Sequence, residues 1–159
     1  MSDALFVRLK SDSSVVSLAD LVGREMVSPW LEVTQEAITQ FADVTGDRQW
    51  IHVDTERARR DSPYSNTIAH GFFTLSLISR LLRDAVGVVE GGHMSINYGL
   101  NKVRFPAPLP ADSHVRARCT LRRLDPLDSG MQATWDVLVE RDGSTKPCMV
   151  AEWLVRYYL

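Results

Sequence analysis

The sequence predicts one α+β domain, residues 1–159, in which an antiparallel sheet wraps around a central apolar helix. Three observations lead there. The hydrophobic period changes along the chain from about 3.6 in the first half to two in the second. The run GFFTLSLISRLLRDAVG, residues 71–87, carries apolar side chains around most of a helical circumference, and such a helix belongs inside something. Nothing divides the chain, because repeats, low-complexity tracts and linker-like shifts of composition are absent and Gly and Pro fall singly or in short turns.

The elements follow in order. A strand is expected within residues 24–33. Thr34 then suits a helix N-cap, Glu36 suits the positive end of the dipole, and Ala37, Ile38, Phe41 and Ala42 recur at helical spacing up to Gly46. Asp54-Thr55-Glu56 opens a second short helix with Ala58 inward and Arg57, Arg59 and Arg60 charged, closed by Asp61-Ser62-Pro63. The central helix starts at Gly71, with Phe72, Phe73, Leu75, Leu77, Ile78, Leu81, Leu82 and Val86 as its apolar set. MSINYGLNKVRF is a strand with a bulge expected at Gly99. Three more strands alternate cleanly: Val115, Ala117, Cys119 and Leu121; then Met131, Ala133, Trp135, Val137 and Val139; then Ala151, Trp153, Val155 and Tyr157.

Composition narrows the function. With 45% hydrophobic and 24% charged residues the chain is long enough for a real core, and a net charge of −2 gives no broad electrostatic reason to expect nucleic acid. Cys119 and Cys148 lie in alternating apolar runs without CxxC or Cys/His spacing, so reduced thiols are expected. Four scattered histidines suggest no metal site, and His93 and His114 read as surface residues. The start, MSDALFVRLKSDSS, has no apolar core of signal-peptide length, and no apolar stretch reaches about 18 residues, so a cytoplasmic location is expected.

Residues 45–52, TGDRQWIH, place Asp47 and His52 five positions apart. On an unbroken helix five steps of about 100° leave the side chains about 140° apart, and on a strand an odd separation puts them on opposite faces. Convergence therefore requires an irregular turn, which Gly46 can start with a positive φ. A carboxylate and a mostly neutral imidazole, with unperturbed pKa values near 3.9 and 6.5, can jointly hold and polarise one water. The same residues also suit a turn aspartate and a packed structural histidine, and composition does not decide between them. In IAHGFF, residues 68–73, Gly71 opens the central helix, where a free N–H at the positive end of the dipole could donate to a developing oxyanion. A tight turn, with His70 as a capping or surface residue, is the other reading.

The segments FADVTGDRQWIHVD (41–54) and TIAHGFFTLSL (67–77) resemble the hydratase signature and following helix start of the MaoC-like (R)-specific enoyl-CoA hydratases of the hot-dog superfamily. The nodulation-protein-N-like branch is the most similar, and the likeness runs from about residue 25 to the C-terminus. The resemblance implies a sheet curled around one apolar helix and subunits paired as a homodimer or dimer of dimers. It implies that Asp47 and His52 activate water for syn addition to a trans-2-enoyl thioester, giving a (3R)-3-hydroxyacyl product. It places the polarising N–H at Gly71 and a helix serine, near the aspartate or the acyl pocket, at Ser79. CoA or carrier-protein thioester is then the substrate, with no separate cofactor, membrane or nucleic-acid partner.

One departure stands out. Where many members have Asn-Pro, this chain has Gln49-Trp50; Gln49 can still hold the loop by a hydrogen bond, and Trp50 is read as core packing. Lys102, Arg104, Arg57, Arg59, Arg60 and Arg48 could meet the phosphates of a carrier, but such charges are ordinarily solvated faces, and none is assigned to CoA. Two other functions compete with hydration: a hot-dog thioesterase using the same oxyanion donor, and a non-catalytic acyl-CoA-binding module.

Overall fold

The computed structural model describes residues 5–159; the first four residues of the stretch read for a leader lie outside them. In chain order the elements are β1 (Phe6–Leu9), β2 (Val15–Ser17), a 3₁₀ turn (Leu18–Leu21), β3 (Glu25–Val27), β4 (Leu31–Val33), α1 (Gln35–Thr45), α2 (Trp50–Val53), α3 (Thr55–Asp61), α4 (Gly71–Ser76), α5 (Ile78–Val86), β5 (Gly87–Glu90), β6 (Met94–Arg104), β7 (Ser113–Leu127), β8 (Gly130–Arg141) and β9 (Met149–Tyr158).

The main sheet is antiparallel in the order β3-β7-β8-β9-β6, with β4 also pairing with β7. Period two divides its faces. Val115, Ala117, Cys119, Leu121, Trp135, Val139, Trp153 and Val155 are buried toward α5, which packs on β7 and β3. The opposite face carries ion pairs: Arg118 meets Glu25 at 2.8 Å, and Arg122 meets Asp136 and Glu152 at 2.7 Å each. The strand expected in residues 24–33 is two pieces. Ser28 exchanges hydrogen bonds with Ala117, its N–H donating to the Ala117 carbonyl and its Oγ accepting from the Ala117 N–H, both at 2.9 Å; Pro29 then has no N–H to continue the ladder. In β6 the register slips at Tyr98, one residue before the expected position, and again at Asn101.

The central helix is corrected in two respects. It breaks at Leu77 into α4 and α5, where the Ser76 hydroxyl donates to the Phe73 carbonyl at 2.7 Å and competes with the Leu77 N–H for it. It is also not apolar all round: α5 buries Ile78, Leu81, Leu82 and Val86 on one side and exposes Ser79, Arg80 and Arg83 on the other, while Phe72 on α4 is 73% exposed. A second small sheet, β2-β1-β5, covers α5 with Val7 and Leu9 inward. Among the described residues no helix is long and apolar enough to cross a membrane.

Candidate active site

The site begins where α1 stops. Thr34 caps that helix by accepting from the Ala37 N–H at 3.2 Å, and Gly46, at φ 76°, ends it in the left-handed region. Residues 46–49 are irregular before α2 carries His52 inward. Across from them, the Ile68 N–H donates to the Ile51 carbonyl at 3.0 Å and the Ala69 N–H to the Leu109 carbonyl at 2.7 Å. These bonds clamp the AHG segment between α2 and the loop preceding β7, so two segments about 20 residues apart share one wall.

His52 is buried, and its Nδ1 lies 2.6 Å from the Ile68 carbonyl oxygen. A carbonyl only accepts, so Nδ1 carries the proton and Nε2 of the neutral ring keeps a free lone pair. Burial pushes the His52 pKa below its ordinary value; the facing His70 acts the same way, while the Ile68 carbonyl and Asp47 oppose the shift. Asp47 is more open, with 60% of its side chain exposed. A carboxylate oxygen of Asp47 and ring nitrogens of His52 and His70 all lie within 4.8 Å of one another, a separation that a single water hydrogen-bonded to both Asp47 and His52 can span.

Pattern reading left His70 as a cap or surface residue; it stands at the N-cap of α4 without a side-chain capping bond, and it is not at the surface. His70 is buried, its ring stacks on that of His52 with centroids 3.7 Å apart and planes at 23°, and its Nε2–H donates to the Asp47 backbone carbonyl at 2.9 Å. The AHG spelling gave its position, but its burial comes from contacts 18 and 23 residues away in the chain. Asp47, His52 and His70 have the composition of a metal site; with His70 Nε2 engaged as a donor, though, the hydrogen bonds favour acid–base use.

Gly71 begins α4, and among the described residues its N–H has no hydrogen-bond partner. Gly71 and His52 line one cavity of about 360 Å³, with Tyr64, Thr74, Phe105 and Cys148 among its other walls. A Cβ at Gly71 would stand 3.0–3.2 Å from the Phe105 ring, so glycine keeps that wall open. Ser79 is not brought to this cavity. It lines a separate hollow of about 320 Å³ with Leu82, Trp135, Trp153 and Tyr157.

The loop is held differently from expectation. Gln49 is exposed and its side chain makes no hydrogen bond among the described residues; instead Gln35 donates from Nε2 to the His52 carbonyl at 2.8 Å, and its Oε1 accepts from the Thr67 hydroxyl. Trp50 is half-buried under the Arg57 guanidinium, 4.4 Å from the ring centroid, rather than packed in the core. Arg48 pairs with Asp43, Arg57 with Asp61, Arg59 with Glu56 and Arg60 with Asp61. Lys102 faces the outer side of the sheet, and Arg104 donates to the Val103 carbonyl. Cys119 and Cys148 are buried free thiols whose pKa values burial raises to about 12 and about 11.

Residues 17–140 match the family model of the MaoC like domain. Over 151 residues, 94% of this chain and 99% of the relative, the sequence is 50% identical to 3-hydroxyacyl-thioester dehydratase Z of Mycobacterium tuberculosis. It is 40% identical to nodulation protein N of Rhizobium leguminosarum bv. viciae, covering 87% of this chain and 89% of that one. Among solved structures, the (R)-hydratase from A. caviae involved in PHA biosynthesis superposes with a TM-score of 0.68 at 23% identity, covering 84% and 94% of the two chains. The MaoC-like dehydratase from Rhodospirillum rubrum superposes with a TM-score of 0.72 at 23% identity, covering 89% and 95%. The structural likenesses establish the fold, and the sequence matches establish the lineage: the chain is a hot-dog protein and belongs to the MaoC-like dehydratase family.

Proposed function

We propose that this protein is an (R)-specific enoyl-CoA hydratase/dehydratase, adding water syn across trans-2-enoyl thioesters to give (3R)-3-hydroxyacyl thioesters. The observation that carries the reading is the convergence of the Asp47 carboxylate and a His52 ring nitrogen to within 4.8 Å, beside a cavity that His52 shares with the unpaired N–H of Gly71. In this reading Asp47 and His52 hold one water. The pair takes a proton as the water oxygen bonds to the β-carbon, the thioester oxygen gathers negative charge against the Gly71 N–H, and the pair returns a proton to the α-carbon. The enzyme ends as it began, with one O–H bond of water and the π bond of the enoyl group broken and one C–O and one C–H bond formed. A positioned acid–base group contributes about 10²–10⁴-fold, and one oxyanion donor about 3 kcal/mol.

The fitting substrate is a CoA or acyl-carrier thioester, and no separate cofactor takes part in the steps described. The assembly we infer is a homodimer, or a dimer of dimers built from it. Its support is β6, which pairs with β9 along one edge only and leaves the other open, with Met94, Ile96, Tyr98 and Leu100 exposed along it. An open apolar edge of this length is a template for a second strand.

Crotonyl-CoA and longer enoyl-CoAs test the reading. A hydratase consumes the conjugated double bond without releasing thiol, a thioesterase releases free CoA thiol, and a binding module does neither. Asp47→Asn and His52→Gln should each lower kcat by at least about 10²-fold with the circular dichroism unchanged. Retention of most activity by both variants would reject the pair as the catalytic unit.

A further inference from the structure

Three separate segments supply the groups of this site: the turn after α1 supplies Asp47, α2 supplies His52, and the start of α4 supplies Gly71. One side chain touches the first two and belongs to the residue preceding the third. We propose that His70 is a positioning residue that locks the acid–base pair, its Nε2–H holding the Asp47 turn and its ring face holding the His52 imidazole. The inference rests on the hydration reading for its kinetic consequence and on geometry alone for its structural one.

The geometry is specific. His70 is only 4% exposed, and its ring is fixed from two sides, by His52 in a stack at 3.7 Å and by Phe41 in a tilted contact at 5.1 Å. Its Nε2–H points to the Asp47 carbonyl at 2.9 Å, with the Asp47 carboxylate Oδ2 at 4.0 Å. Its Nδ1 is buried and has no partner among the described residues. A ring needed only for packing would be filled better by phenylalanine, which has no polar atom to leave unsatisfied. What imidazole adds here is the one N–H that anchors Asp47. The stack has a second effect: beside burial, the facing His70 pushes the His52 pKa down. The other titratable groups facing this pair are Asp47 from the turn and Tyr64 and Cys148 on the cavity wall, while Arg48 is turned to Asp43.

Two variants separate the positioning role from mere packing. His70→Phe keeps the ring and the stack but removes the N–H; His70→Gln restores a donor near the position of Nε2. With crotonyl-CoA, His70→Phe should lose about 10²-fold in kcat with KM within about threefold, as expected when catalytic groups are misplaced by a fraction of an ångström to an ångström. His70→Gln should recover a clear part of that loss. The acid limb of the kcat/KM profile should move to higher pH in His70→Phe, and the His52 imidazole titration followed by ¹⁵N-edited NMR should move the same way. A folded His70→Phe with kcat within threefold of wild type overturns the proposal, and so does His70→Gln no better than His70→Phe. If His70→Phe does not fold, kcat of His70→Gln decides: a value close to wild type supports the donor, and a loss of about 10²-fold overturns it. Should the wild-type protein show no hydration at all, the functional reading fails separately, and a crystal structure of His70→Phe still decides the positioning claim: an Asp47 turn left in place refutes it, and a displaced one supports it.

Discussion

The role of the Gly71 N–H can be isolated by comparing two substitutions at one position. Gly71 is the first residue of α4, a position where proline is well tolerated because the N–H has no intrahelical partner. The preceding residue, His70, already sits at φ −60°, ψ 142°, within the region that proline imposes on its predecessor. Gly71→Pro therefore deletes the donor with little demand on the backbone. Both Gly71→Pro and Gly71→Ala add a Cβ that meets the Phe105 ring at 3.0–3.2 Å, and Phe105 is 42% exposed, so each should lose about 1–3 kcal/mol of stability. That loss cancels in their ratio. The remaining difference is the N–H, which predicts kcat for Gly71→Pro about 10²–10³-fold below Gly71→Ala, or about 2.7–4 kcal/mol. Steady-state kinetics with crotonyl-CoA, read as kcat separately from KM because the proline ring also crowds the carbonyl, measures it. Equal kcat values within threefold would mean that the thioester oxygen does not lie against this helix start.

Three further outcomes follow from the same coordinates. Because burial depresses the His52 pKa, the unfolded chain takes up the proton first; stability should be intact above about pH 6.5, fall as pH drops through that value, and level off below the folded pKa, with the His52 part of this slope absent in His52→Gln by urea titration at several pH values. Leu81, fully buried on α5, should cost about 2–5 kcal/mol as Leu81→Ala in denaturant unfolding, and a loss below about 1 kcal/mol would remove α5 from the core. Ile96→Lys with Leu100→Lys on the open edge of β6 should convert the proposed dimer to monomer in light scattering, whereas a monomeric wild-type protein would refute the edge as an interface.

How much of this was legible in the chain depends on how far apart the deciding contacts lie. Thr34 and Gly46 fix α1 through bonds within a few residues, and the alternation in β7, β8 and β9 records a face buried along its whole length, so local reading suffices for both. The strand β1 is four residues long and finds its partner, Val7 against Val89, across 82 positions, with too little local pattern to announce it. Phe72 misled because an apolar type reports preference, while exposure depends on what stands opposite. The site divides the same way. The turn that brings Asp47 toward His52 follows from Gly46 and from the failure of regular geometry at a five-residue spacing. The groups that hold it, Gln35 on the His52 carbonyl and His70 on the Asp47 carbonyl, act on backbone oxygens that carry no side-chain signature.

The unequal burial of the two groups suits them to unequal parts of the chemistry. His52 is 7% exposed, and the Asp47 side chain 60%. Desolvation disfavours a charged imidazole, so burying His52 favours its neutral form. The Ile68 carbonyl completes the arrangement by fixing the tautomer, because a ring rotated to take Nδ1 away from it would lose that acceptor. The His52 ring thus takes its tautomer from the Ile68 carbonyl, its orientation from that bond and the His70 stack, and its lowered pKa chiefly from burial. Burial and a bond to a backbone carbonyl are shared with an ordinary structural histidine, which is the physical reason local sequence does not separate the two readings of TGDRQWIH.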